Sequence, residues 1–132
     1  MANKLRRPWC IIFCGAAVGA TLFFVATATQ ASDWTLVENE NLEGGVKCSV
    51  YYDKDSITRP DASSASVWER EACPNIHREI KNWVRFGCLQ RAITLKTTIV
   101  DGRQFNHEPW LNKPLGIEPG TSDEKLFAII CK

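Results

Sequence analysis

Histidine is scarce in this 132-residue chain: His77 and His107 are the only two, and neither sits in a pattern that pairs it with a nucleophile. No G-x-S-x-G, no H-E-x-x-H and no phosphate-cradling glycine loop occurs. Those absences remove the common routes to acyl transfer, zinc proteolysis and nucleotide binding. No C-x-x-C pair is present, and Cys73-Pro74-Asn75-Ile76-His77 is an isolated Cys/His fragment, so no metal site is expected. Asp53-Lys54-Asp55-Ser56 lacks the further acidic ligands and the glycine of a calcium loop and reads as a turn. Neither a cofactor nor a metal follows from the sequence.

Acidic residues are missing from one region, the first 31 positions, and that region has its own plan. Lys4, Arg6 and Arg7 precede an uncharged apolar stretch from Trp9 to Val25, which ends in the small-residue run Ala26-Thr27-Ala28-Thr29-Gln30-Ala31. This is the layout of a secretory signal, with cleavage after Ala28 or Ala31. An uncleaved anchor is the alternative, since about 20 apolar residues cross a bilayer. The small-residue ending favours cleavage. Residues 1–31 are therefore expected to be a leader, residues 32–132 one exported domain, and its location the periplasm, the cell surface or the medium.

With the leader set aside, thirteen Lys and Arg face fifteen Asp and Glu, a balance of about −2 that gives no reason to expect a nucleic-acid partner. A domain of roughly 100 residues has a modest core and gains from cross-links. Cys48, Cys73, Cys88 and Cys131 supply an even number in a compartment that permits oxidation, and four cysteines allow three pairings.

The strand signals come first along the domain and the helix last. Val46, Cys48, Val50 and Tyr52 alternate with Lys47, Ser49 and Tyr51, which predicts the first set buried and the second outward. Ser64 to Arg70 is a second strand, after a loop at Arg59-Pro60-Asp61-Ala62-Ser63. From Trp83 to Val100 the apolar positions are even at Val84, Phe86 and Cys88 but odd at Ile93, Leu95 and Ile99, so a bulge, bend or tight turn is expected between Gly87 and Arg91. Asp101-Gly102 predicts a hairpin that returns through Arg103, Gln104 and Phe105. The proline-rich segment from Glu108 to Pro119 is too broken for a long element. Thr121-Ser122-Asp123-Glu124 fits a capping box, with Leu126, Phe127, Ile130 and Cys131 on one side of the helix that follows. The expected fold is α+β, a small antiparallel sheet with one C-terminal helix packed on it.

The series Trp34, Tyr51-Tyr52-Asp53-Lys54-Asp55-Ser56-Ile57, Val67-Trp68, Cys88, Pro119-Gly120-Thr121, Leu126 and Cys131 resembles the surface-adhesin protein E family of bacterial envelope proteins. The likeness covers nearly all of residues 32–132. It implies about six antiparallel strands, a helix against them and a Cys88–Cys131 bridge. With that bridge taken from the family, Cys48 and Cys73 form the second, an addition to the family pattern. The resemblance also implies a non-enzymatic role: adhesion to a protein partner, host extracellular matrix being the namesake target.

Candidate contact residues are Arg85, Arg91, Lys96 and Arg103, which interrupt apolar strand positions, together with Trp83 and Trp110 nearby in sequence, a composition suited to an acidic or extended partner. The plainer reading puts Arg and Lys on the wet face and the Trp residues in the core. Asp53, Asp55, Glu69 and Glu71 could supply a carboxylate pair for a small hydrolase, though acidic residues beside strands are usually solvated. A periplasmic structural or stress-related protein with no adhesive role is the further alternative.

Overall fold

The computed structural model describes residues 32–132; the leader expected over residues 1–31, with its cleavage positions, lies outside them. Eight strands form a single antiparallel sheet among the described residues: β1 (Trp34–Asn41), β2 (Lys47–Asp53), β3 (Thr58–Asp61), β4 (Ser64–Cys73), β5 (Arg78–Gly87), β6 (Ala92–Val100), β7 (Arg103–Phe105) and β8 (Pro114–Gly116). The order across the sheet is β1-β2-β4-β5-β6-β7. β3 adds to β4 on one side, and β8 adds to β6 on the other. One helix, α1 (Ser122–Ile130), follows. No described helix is long and apolar enough to cross a membrane.

Alternation along β2 holds as the sequence predicts: Cys48, Val50 and Tyr52 are buried, and Ser49 and Tyr51 are on the other face. The parity change between Val84 and Ile93 is the tight β5–β6 turn, closed by pairing of Gly87 with Ala92. A second irregularity, unexpected from the sequence, falls at Trp83/Val84, where β6 gains one residue between Leu95 and Thr97. That bulge reverses the faces of the rest of β6, so Thr98 is buried and Ile99 leaves the face shared by Ile93 and Leu95. At the Asp101-Gly102 turn both residues have positive φ, 48° and 84°, as a type I′ hairpin requires. Of the segment expected to be a loop, Arg59, Pro60 and Asp61 instead join Thr58 in a short edge strand against β4, whose register breaks around Pro60.

The helix closes one face of the sheet. Thr121 caps it by accepting from the Glu124 amide at 3.3 Å, while the Glu124 carboxylate reaches back to the amide of Gly120 at 2.9 Å, one residue earlier than a capping box places it. Nine residues are too few to hold a helix alone, so packing must fix it. Leu126 and Ile130, one turn apart, bury completely against Ala65, Val67, Val84, Phe86 and Ile93, and Phe127 meets the Phe86 ring edge-on at 6.1 Å. A Cys88–Cys131 disulfide fastens the helix end to the residue after β5, and a Cys48–Cys73 disulfide ties β2 to the end of β4. Closing loops of these lengths stabilises by about 4 and about 3.5 kcal/mol respectively on the chain-entropy account.

Candidate functional site

Because side chains alternate along strands, each row of paired residues sends its members to one face. On the face without the helix, one row runs Leu36, Tyr51, Arg70, Lys81 and Ile99. The next contains Trp34 paired with Asp53, and Trp68, Trp83 and Thr97. A third holds Ser66, Arg85 and Thr94, and a fourth Ser64, Gly87 and Ala92. Trp34, Tyr51, Trp68 and Trp83 are each half-buried, with no helix or strand laid over them among the described residues. The expectation that tryptophans fill the core is therefore corrected: among these positions the strand period places them on the open side, while Val67 and Val84, their immediate neighbours, occupy the core.

These aromatics are organised around cations. The Arg70 guanidinium stands 5.0 Å from the Tyr51 ring centroid and 5.5 Å from that of Trp34, within cation–π range. Trp68 and Trp83 are directly paired, with ring centroids 5.5 Å apart. Glu79 holds Arg70 at 3.3 Å and Lys81 at 3.0 Å, but the Arg70 Nε proton has no acceptor in hydrogen-bond geometry among the described residues. A shallow cavity of about 200 Å³ opens among Ser32, Trp34, Asp53, Trp68, Lys81 and Ile99.

Beside this strip lies a larger cavity of about 380 Å³, into which Arg85 and Lys96 both project, with Ser63, Ser64, Gln90, Thr94 and Asn112. Arg85 donates to Ser64 Oγ at 3.3 Å, and Lys96 donates to Asn112 Oδ1 at 2.9 Å. Asn112 is anchored by its own amide to Leu95 O at 2.8 Å, so the loop before β8 forms the far wall. Two of the sequence candidates thus share one site. Trp83 lies in the neighbouring aromatic strip, and the other three are elsewhere. Arg91 turns to the helix side, bonding Glu124 at 3.0 Å and lying 5.2 Å from the Phe127 ring. Arg103 covers Phe105 on β7 at 5.2 Å, and Trp110 is 47% exposed in the loop before the buried Leu111.

The helix-covered face carries the opposite charge. Glu69, Glu71, Glu40 and Asp123 converge with Asn82 around a cavity of about 250 Å³ beneath the first turn of α1. Glu69 is buried, which corrects the expectation of solvated strand carboxylates; Asn82 donates to it at 3.5 Å and in turn accepts from Thr98 at 2.9 Å. Burial, then the Asp123 charge, pushes the Glu69 carboxyl up to about 7. Burial and Glu40 raise Glu71 and Asp123 as well. Asp53 and Asp55 are not part of this group. Among the described residues the one close trio of metal-ligand types is Cys48, Glu71 and Cys73, and its two sulfurs are spent in a disulfide.

Trp34, Tyr51, Trp68, Arg70 and Lys81 belong to the open face and were not among the sequence candidates. The signal was present in the outward parity of Tyr51, but it needs the β1–β2–β4 pairing before Trp34 and Arg70 join it. No protein-family model, curated protein or solved structure matches the chain, so the likeness to surface-adhesin protein E stands on the residues quoted above.

Proposed function

We propose that the chain is an exported, non-enzymatic envelope protein that binds a partner through the helix-free face of its sheet. The observation that carries this reading is the cluster of half-exposed aromatics, Trp34, Tyr51, Trp68 and Trp83, interleaved with Arg70, Lys81 and Arg85 on a face that no helix or strand covers among the described residues. Trp, Tyr and Arg are the residues that dominate binding energy at interfaces, because each offers large contact area with a polar or charged handle. Two disulfides and the leader layout support an oxidising compartment outside the cytoplasm. Adhesion to host matrix protein, the role implied by the resemblance to surface-adhesin protein E, is the specific form of this proposal.

The test has two parts. Protease applied to intact cells is expected to reach the domain; digestion only after the outer membrane is opened removes the adhesive role and leaves a periplasmic one. Purified matrix proteins are expected to bind the oxidised protein at least tenfold better than its Trp68→Ser/Trp83→Ser variant. Equal binding by a folded variant contradicts the assignment of the face.

A small hydrolase has one observation in its favour, the neutral-range Glu69 beside Asp123 and Glu71 in a cavity, since perturbed carboxyls cluster at catalytic sites. Glycoside turnover abolished by Glu69→Gln is the result that establishes that reading.

A further inference from the structure

We infer that the cavity over β5 and β6 is a site for an acidic sugar unit, a hexose-sized ring bearing a carboxylate or sulfate; this deepens the binding role proposed for the open face and rests on it. The first ground is charge. Arg85 and Lys96 project into the same space, yet neither takes part in any ion pair among the described residues. Residues 1–31 contain no Asp or Glu that could neutralise them from outside those residues. Their side-chain hydrogen bonds among the described residues go to one hydroxyl and one amide oxygen, which leaves most guanidinium and ammonium donors without a protein acceptor there. A planar guanidinium beside an ammonium suits an oxyanion, the first by a two-pronged contact and the second as a point charge.

The second ground is the wall. Apart from Gly87, Ala92 and Pro114, the lining is Ser63, Ser64, Gln90, Thr94 and Asn112, all hydroxyl or amide groups. Ser63 and Ser64 give their hydroxyl protons to Asp61 Oδ1, at 2.6 and 3.2 Å, so their oxygens face the cavity as acceptors, and with Gln90, Thr94 and Asn112 they match the hydroxyls that surround the charge on a sugar. The volume, about 380 Å³, is at the small end of ligand pockets and fits one ring with its water. The third ground is what adjoins it. Trp83 is two residues before Arg85 on the same face of β5 and is paired with Trp68. The two half-exposed rings do not line the cavity but occupy the neighbouring row of the same face, within reach of the next sugars of a chain that enters it.

Calorimetry of the oxidised protein with polygalacturonate, heparin, poly-glutamate and neutral dextran tests the inference. Polygalacturonate or heparin is expected to bind, the one responding identifying a carboxylate or a sulfate, with dextran silent. Arg85→Gln and Lys96→Gln are each expected to weaken binding at least tenfold, and Arg103→Gln, an exposed cation outside the cavity, less than twofold. Poly-glutamate binding alone transfers the site to an acidic peptide and overturns the sugar assignment. Acidic-glycan binding that survives Arg85→Gln/Lys96→Gln but is lost in Trp68→Ser/Trp83→Ser overturns the cavity and keeps the open face. Binding unaffected by either pair overturns both, and no binding by any acidic glycan overturns the inference.

Discussion

The two faces of the sheet are made by the same strands and differ in almost every property. The covered face is apolar where Leu126 and Ile130 sit and acidic where α1 begins, and its carboxyls are pushed toward neutrality by burial. The open face carries aromatic rings and cations, with Glu79 shared between two of them. A residue shifts from one environment to the other by moving one position along a strand, as Val67 and Trp68 do. The difference teaches that the covered face buries the apolar core, while the open face keeps its large aromatic side chains half-exposed.

The sharpest way to break that comparison is on the covered face. Replacing Cys88 and Cys131 by serine is expected to cost about 4 kcal/mol in urea unfolding, because the unfolded chain regains the loop entropy that this cross-link removes. Leu126→Ala, at a fully buried site, is expected to cost about 2 to 5 kcal/mol by the same measurement. Neither change touches the open face, so ligand affinity per folded molecule should stay the same.

A smaller effect concerns pH. The folded Glu69 carboxyl, near 7, lies above its ordinary value of 4.5, so the folded state holds a proton that the unfolded chain releases. The sign follows: the contribution is complete below about 4.5 and is lost as pH rises through about 7. Stability should fall by roughly 3 kcal/mol across that window, at 1.36 kcal/mol per pKa unit. The facing groups are Glu40, Glu71 and Asp123, with Asn82 donating to Glu69. Glu69→Gln should flatten the profile of unfolding free energy against pH; an unchanged slope assigns it to the neighbouring carboxyls.

The smallest effects belong to the open face. Trp68→Ser should cost about 1 to 2 kcal/mol, since its ring is only half-buried and packs on Trp83. Arg85→Gln should change unfolding by less than about 0.5 kcal/mol, as expected for an exposed side chain with one hydroxyl partner. Large losses of stability from these two changes would erase the contrast between the faces.

The sequence made the covered face legible because its signals are local. Alternation in β2, the Asp101-Gly102 turn, the Thr121 cap and the helical spacing of Leu126 and Ile130 each operate within a few residues. The open face was hidden for the opposite reason. Trp34, Tyr51, Arg70 and Lys81 come from four strands, and only their register makes them neighbours. Ile99 was misplaced because a bulge of one residue in β6 has no compositional mark. Glu69 read as solvated because the approach of Asp123, 54 positions later, is a tertiary event. Arg85 and Lys96 were found from composition, while Arg91, of the same composition, was drawn off to Glu124 by the left-handed backbone of its turn.

The most direct test is a map of which amides respond to ligand. Nitrogen-15 spectra of the oxidised protein, titrated in turn with polygalacturonate, heparin and poly-glutamate, report both faces at once. The account predicts that the first resonances to move belong to the open face, Trp68, Trp83, Arg85, Thr94 and Lys96, while Glu69, Glu71 and Asp123 stay in place. Movement centred on Glu69 and Asp123, or no movement on the open face with any of the three, would contradict it.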